Sequence, residues 1–387
     1  MSEVLAGRRS RLRARSAPSG TGAIVVSRPT NVRYLAGPAP AGAALLLGPG
    51  DTDALLAHPD PTADPPGPHA LAGRRPGEPG DPWDAAEPGD DGLRRTVPEP
   101  GQDPAVAAVL LAAAAGAAAV AVEEHHLTVA RHRTLAAAVP GTALTDLDRA
   151  VERQRLVKDE DEIAALRVAA EITDRALGEL LESILVGRTE RHLALELERR
   201  LVDHGADGPA FPTSVATGSH SGLAGHRPTD RRVEEGDFLT VRLGASFRGY
   251  RCQIGRTFVI GTSPAPWQIE LYDLVFAAQR AAREALAPGA ELREVDRAAR
   301  EVITAGGHGG ALGPVTGYGV GLEIGEDPRL SPAAMGRLGP CVPVTVEPGV
   351  HLPGRGGVRI DDTLVVRPPA DGGPELLTIT TKELLAL

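Results

Sequence analysis

The sequence predicts an α+β protein of two domains, a smaller α/β domain over residues 1–153 and a larger α+β domain over residues 154–387. Three observations carry that expectation. Short apolar runs bounded by turn residues alternate with helical periodicity through the first domain. From Val157 onward, long amphipathic helices gather around extended runs instead of alternating with them one for one. A chain of 387 residues, 42% hydrophobic and 24% charged, also holds enough apolar material for two cores.

In the first domain "GAIVVS" and "AALLLG" read as buried strands, with "RPTNVRYLAG" between them as a turn leading into another element. Residues 58–103 are rich in Pro, Gly and Asp and lack apolar periodicity, which predicts a long irregular surface excursion. An alanine-rich helix over 104–116, the strand-like "AAAVAVE" and a helix near 130–138 complete the α/β unit.

The second domain opens on "KDEDEIAALRVAAEITDRALGELLESIL", which places Ile163, Leu166, Ala170, Leu177, Leu180 and Ile184 on one helical face. Acidic residues at its start suit the positive end of the helix dipole. "ERHLALELERRLVDHG" is a second amphipathic helix, with Gly205 as its C-terminal cap. Two more helices are expected at about 266–287 and 291–305, the first closed by Pro288-Gly289. Strands are expected at 236–243, 250–260, 342–347 and 357–366, the first two flanking a hairpin turn at Gly249-Tyr250.

Charge and cysteine usage narrow the function. A net charge of −10 argues against nucleic acid as a partner. Two cysteines, Cys252 and Cys341, provide neither a disulfide framework nor a cysteine-based zinc site. Arg8, Arg9, Arg11, Arg13 and Arg15 near the N-terminus are not followed by a signal-like apolar run. The stretch 105–122 is mostly alanine and reads as a buried element, not a membrane span. The expectation is a cytoplasmic protein that engages neither membrane nor nucleic acid.

Six ordered stretches carry a resemblance: "RPTNVRYLAG", "VKDEDEIAALRVAAEITDRAL", "FPTSVATGSHSGLAGHRPTDRRVEEGD", "RGYRCQIGRTF", "GYGVGLEIGEDPRLSP" and "VTVEPGVHLPGRGGVRIDDTLVV". Together they resemble the pita-bread metallopeptidase family, and within it the Xaa-Pro aminopeptidases and prolidases. The likeness runs from about residue 10 to the C-terminus and is weakest across 58–103. It implies a pita-bread C-terminal domain behind a creatinase-type N-terminal domain, and a homodimer.

The resemblance also implies a site. Active members hold two divalent metals with two Asp, one His and two Glu, and the metals activate a bridging water. Arg242 stands where the family has the first Asp, Gln253 where it has the second, and Tyr318 where it has the His. Glu347 is retained, and Asp361 replaces the last Glu. Pro314 and Gly325 occupy the places of two auxiliary histidines. A guanidinium does not deprotonate in proteins, so Arg242 puts a permanent cation where a dication would sit. No metal ligand set and no cofactor are therefore expected here.

His226 in "AGHRPTD" matches, by resemblance, a family histidine that contacts substrate and serves creatinase, which needs no metal, as its acid–base group. Against that role stands a retained hydrogen-bonding residue with no chemistry. Arg359 and Asp361 bind substrate or form a structural ion pair. Tyr318 lines a pocket or fills space, and His351 is a rim residue. His308 and the pair His125-His126 read as surface residues. The expected function is a metal-free pseudoenzyme that binds a small molecule or short peptide through Arg242, Gln253, Tyr318, Glu347, His351, Arg359 and Asp361. Two alternatives stand beside it: a metal-independent, creatinase-like hydrolase of a C–N bond using His226, and a residual Xaa-Pro peptidase.

Overall fold

The computed structural model describes residues 2–16, 22–50, 52–59, 91–183 and 185–387. The chain divides into two compact units, Met1–Arg155 and Leu156–Leu387.

The first unit contains α1 (Ser2–Ser16), β1 (Ala23–Val26), α2 (Pro29–Ala36), β2 (Ala44–Leu47), β3 (Ala54–Leu56), β4 (Arg94–Thr96), α3 (Pro104–Ala114), β5 (Ala119–Val122), α4 (Val129–Ala138), β6 (Ala143–Asp146) and α5 (Ala150–Arg155). Its strands form one mixed sheet in the order β4-β3-β2-β1-β5-β6. β1, β2 and β3 are buried throughout, as their uninterrupted apolar sequences require. Asp103 caps α3 by accepting from the Ala105 amide, and Pro104 opens its first turn.

One expectation changes here, and one element was not foreseen. The arginine-rich start is a helix, α1, in which Arg8 and Arg9 are buried. Their guanidinium groups donate to the carbonyls of Tyr34 and Leu35 at the end of α2. The excursion expected over 58–103 contains a strand: β4 pairs with β3 in parallel register, Leu55 opposite Arg95. Residues 60–90 of that excursion lie outside the described residues, as does Ile184.

The second unit contains α6 (Glu160–Leu181), α7 (Glu190–Asp203), β7 (Gly208–Pro209), β8 (Ser214–Thr217), β9 (Phe238–Leu243), β10 (Ala245–Phe247), β11 (Tyr250–Arg251), β12 (Ile254–Val259), α8 (Pro266–Glu284), α9 (Leu292–Ala305), β13 (Gly317–Val320), β14 (Ile324–Leu330), β15 (Pro343–Val346), β16 (Gly349–Leu352), β17 (Gly356–Arg359), β18 (Asp362–Val365) and β19 (Glu375–Leu376). Asp159 and Glu162 close a capping box at the start of α6. Ile163, Leu166, Ala170, Leu177 and Leu180 are all buried against strands β9, β10 and β12 and helix α7. Helices α8 and α9 pack together over the second main sheet, order β14-β13-β15-β18-β19, with Val275, Val295 and Ile303 in the seam. Each fully buried aliphatic side chain contributes roughly 1.5–3 kcal/mol by leaving water.

Breaks in the strands are what aim the site. β9 turns into β10, and the hairpin reverses at Arg248-Gly249, both at positive φ, with Phe247 paired to Tyr250. The expected strand 250–260 is interrupted at Cys252-Gln253, and the expected strand 357–366 is interrupted at Ile360-Asp361. Departures from ladder regularity re-aim side chains. An isolated bridge between Gly255 and Asp361 brings the two interruptions together, with amide–carbonyl bonds of 3.2 and 3.0 Å. Gly255 also pairs with Arg242 across β12 and β9. A Cβ at Gly255 would meet Asp361 Cγ at 2.5 Å, so only glycine allows this approach.

Candidate functional site

Six of the sequence-singled residues converge. Arg242 comes from β9, Gln253 from the break before β12, Tyr318 from β13, Glu347 from the end of β15, Arg359 from the end of β17 and Asp361 from the break after it. Arg359 is the strongest tie: its Nη2 lies 2.7 Å from Glu347 Oε2, and its Nε donates to Asp361 Oδ1 and Oδ2 at 2.8 and 2.9 Å. Arg242 Nη2 lies 3.5 Å from Glu347 Oε2, and its Nε lies 3.4 Å from Asp361 Oδ2. Arg242 thus stands within ion-pair distance of both acids, and Arg359 makes the shorter contacts. Arg359 takes the fork geometry that suits two carboxylates, and Arg242 is the outer partner, its guanidinium 4.6 Å from the centre of the Phe211 ring.

Gln253 and Tyr318 complete the network. The Gln253 amide nitrogen donates to Glu347 at 2.7 Å and to Asp361 at 2.9 Å. Its oxygen accepts from Arg242 Nη2 and from the Tyr318 hydroxyl, both at 2.8 Å. That hydroxyl accepts in turn from Arg242. The amide is thus fixed with its donors on the acids and its acceptor on the cation and phenol. Two guanidinium and two carboxylate groups leave the cluster formally neutral.

The titration of the acids follows from this packing. Burial works to raise the Glu347 carboxyl, but Arg359 and Arg242, with hydrogen bonds from Gln253 and Tyr318, outweigh it and hold it below the ordinary range. Asp361 goes the other way: burial, reinforced by the neighbouring Glu347, exceeds the pull of Arg359 and Arg242. The Tyr318 hydroxyl is pushed up by burial and by Glu347. Behind the cluster, fully buried Arg256 pairs with Asp362 at 2.8 Å and donates to the Asp361 carbonyl at 2.7 Å, which fixes the backbone at the break.

Two other expected site residues lie on different contacts. His351, in β16, places Nδ1 3.1 Å from the Ser221 carbonyl, and burial pulls its pKa down. His226 places Nε2 2.8 Å from Glu190 Oε2, at the first turn of α7. His220 joins the same carboxylate, Nδ1 to Oε1 at 3.0 Å. Glu190 is fully buried and also accepts from the amides of Thr217 and Thr229 and from the Thr229 hydroxyl. Burial pushes its pKa up, but the His226 bond and these donors win and hold it low. His220 and Glu190 escaped the sequence reading because they are 30 residues apart. The only local sign was an acid at the start of an amphipathic helix, which reads equally well as a dipole partner.

Among the described residues no helix is long and apolar enough to cross a membrane. The family model for metallopeptidase family M24 matches residues 164–368, and that for the creatinase/prolidase N-terminal domain matches residues 79–157. The Xaa-Pro dipeptidase of Pyrococcus furiosus is 39% identical over 239 residues, spanning 62% of this chain and 68% of that protein. The uncharacterized peptidase YqhT of Bacillus subtilis is 36% identical over 261 residues, spanning 67% and 73% respectively. A solved Xaa-Pro dipeptidase from Bacillus anthracis superposes with a TM-score of 0.84 at 27% identity, covering 99% of this chain and all of that one. With a creatinase-type N-terminal domain followed along the chain by an α+β pita-bread unit, the chain belongs to metallopeptidase family M24.

Proposed function

We propose that this M24 member binds a short peptide or small molecule at the Arg242–Gln253–Tyr318–Glu347–Arg359–Asp361 cluster, without a dimetal centre. One observation carries the reading: both carboxylates of the cluster are already paired with Arg359, and a second guanidinium, Arg242, stands within 3.5 Å of each. Two divalent metals bring four positive charges, and hard oxygen-rich coordination offsets them with several carboxylates. This donor set offers two acids, an amide, a phenol and two fixed cations, and it does not fit such a pair. The peptide class is taken from the Xaa-Pro dipeptidase relatives. Arg242 and Arg359, each partly exposed, supply donors for a peptide carboxylate or carbonyl. We also read the protein as cytoplasmic and as a symmetric dimer, a state that light scattering measures directly.

The test is an assay with Xaa-Pro dipeptides, with and without added Mn²⁺ or Co²⁺, alongside a thermal-shift screen of the same peptides. The expected result is no hydrolysis in either condition and a raised melting temperature with bound peptide. Metal-dependent hydrolysis would overturn the reading. Turnover that needs no metal and disappears in His226→Ala would select the creatinase-like alternative.

A further inference from the structure

We propose that Glu190, His220 and His226 form a zinc(II) site separate from the cluster around Arg359. Three donors converge: His220 Nδ1, His226 Nε2 and the Glu190 carboxylate all lie within 4.8 Å of one another. The two rings approach with centroids 4.5 Å apart and tilted by 39°, each presenting a nitrogen to a different oxygen of the same carboxylate. Two imidazoles and one carboxylate are a donor set of the kind zinc takes, with the fourth position left for solvent. Burial is graded to match. Glu190 is fully buried and His226 nearly so, while the His220 side chain retains 28% exposure, which leaves an entry path on one side.

The supporting groups are in place. Thr217 and Thr229 donate backbone N–H bonds of 2.9 Å to the two Glu190 oxygens, and the Thr229 hydroxyl adds a third bond, so the carboxylate is held from behind. Zinc bonds of roughly 2.0–2.1 Å to N and O set tetrahedral donors about 3.3 Å apart. The present 3.0 and 2.8 Å contacts run to different Glu190 oxygens, so tetrahedral binding takes one of those oxygens as donor and brings both ring nitrogens to that spacing from it and from each other. Both imidazoles bind as neutral groups. Each proton that now lies between ring and carboxylate is carried on the opposite ring nitrogen, or released, when the metal replaces it.

A zinc ion here would pin three segments: the start of α7, the 3₁₀ turn Gly218–Gly222 and the stretch leading to Thr229. The turn is also stitched to the β16–β17 hairpin. Ser221 Oγ accepts from the Gly357 amide at 2.9 Å, and Ser221 O contacts His351. Arg359 ends the second strand of that hairpin, so the site would stiffen the framework from which the Arg359 cluster is hung.

The experiment strips the full chain with a chelator and titrates it with Zn²⁺ alone by calorimetry, with Co²⁺ absorption as a readout of tetrahedral N/O ligation. About one equivalent should bind. His220→Ala and His226→Ala should each weaken binding by at least about tenfold, comparable with the effect of disturbing even a supporting group. His220 is partly exposed, so His220→Ala stays informative should Glu190→Gln fail to fold. Glu347→Gln should bind zinc as the wild type does. No zinc binding, or binding unchanged in both histidine variants, would overturn the proposal. Binding abolished by Glu347→Gln but not by His220→Ala would place the metal at the Arg359 cluster, overturning this site and the metal-free reading together.

Discussion

Arg359 reaches Glu347 at 2.7 Å while its Nε holds Asp361, so one guanidinium serves two buried acids, one just after β15 and one in the break between β17 and β18. Removing it strands two carboxylates. Breaking a buried pair from one side typically costs about 3–5 kcal/mol. Arg359→Ala should therefore lower unfolding stability by at least about 3 kcal/mol on that scale. Arg242→Ala removes 3.4–3.5 Å contacts and hydrogen bonds to neutral groups, and about 1–2 kcal/mol is expected from the worth of such bonds. Denaturant unfolding of both variants checks the order, and Arg242→Ala proving the more damaging would contradict it.

Arg242→Asp tests the charge count. The change removes a cation and adds a third acid to the neutral cluster. It should destabilise more than Arg242→Ala, and added Mn²⁺ should not restore the loss, because Gln253 and Tyr318 still fill two neighbouring positions. Melting curves with and without Mn²⁺ decide. Full recovery with metal would mean that one substitution rebuilds a working coordination site.

What could be read in advance follows a physical division. Helices α6 to α9 were legible because each buries one apolar stripe, and Ile163 through Leu180 declare that stripe in sequence. Helix α1 was not, because Arg8 and Arg9 occupy inward positions made tolerable by tertiary partners, among them the α2 carbonyls of Tyr34 and Leu35. The stretch "TGYGVG" carried no strand expectation, and its glycines serve close approach. A Cβ at Gly317 would meet Thr345 O at 2.2 Å, and one at Gly319 would meet Asp327 O at 2.3 Å, so the run is strand β13. The Arg242–Gln253–Tyr318 convergence was legible only through the family resemblance. The Glu190 trio was not legible, since its members join through tertiary contacts across 30 and 36 residues.

Gly255→Ala should disrupt the cluster without touching any of its charges. The new methyl would lie 2.5 Å from Asp361 Cγ and 2.6 Å from Oδ2, so either the bridge between residues 255 and 361 or the Asp361 rotamer must give way. Overpacking of this kind costs roughly 1–3 kcal/mol. The expected result is a stability loss in that range together with a lost thermal shift for any peptide that stabilises the wild type. An unchanged peptide response would show that Asp361 placement does not matter for binding.

The two acids of the cluster should bend the pH dependence of stability in opposite senses. Glu347 is held below its ordinary range by Arg359 and Arg242 against the effect of burial. The unfolded chain then binds its proton more readily than the folded one. Its contribution is fully present above the unfolded value near 4.3 and is lost as pH falls through the depressed folded value. Asp361 is raised by burial. Its contribution is fully present below the unfolded value near 3.9 and is lost as pH rises through the raised folded value. Unfolding free energy measured across acid to neutral pH should therefore show a shallower acid-side fall in Glu347→Gln than in the wild type. Asp361→Asn should instead gain stability relative to the wild type as pH climbs above about 3.9. The reverse order of slopes would contradict the opposite shifts of the two carboxyls.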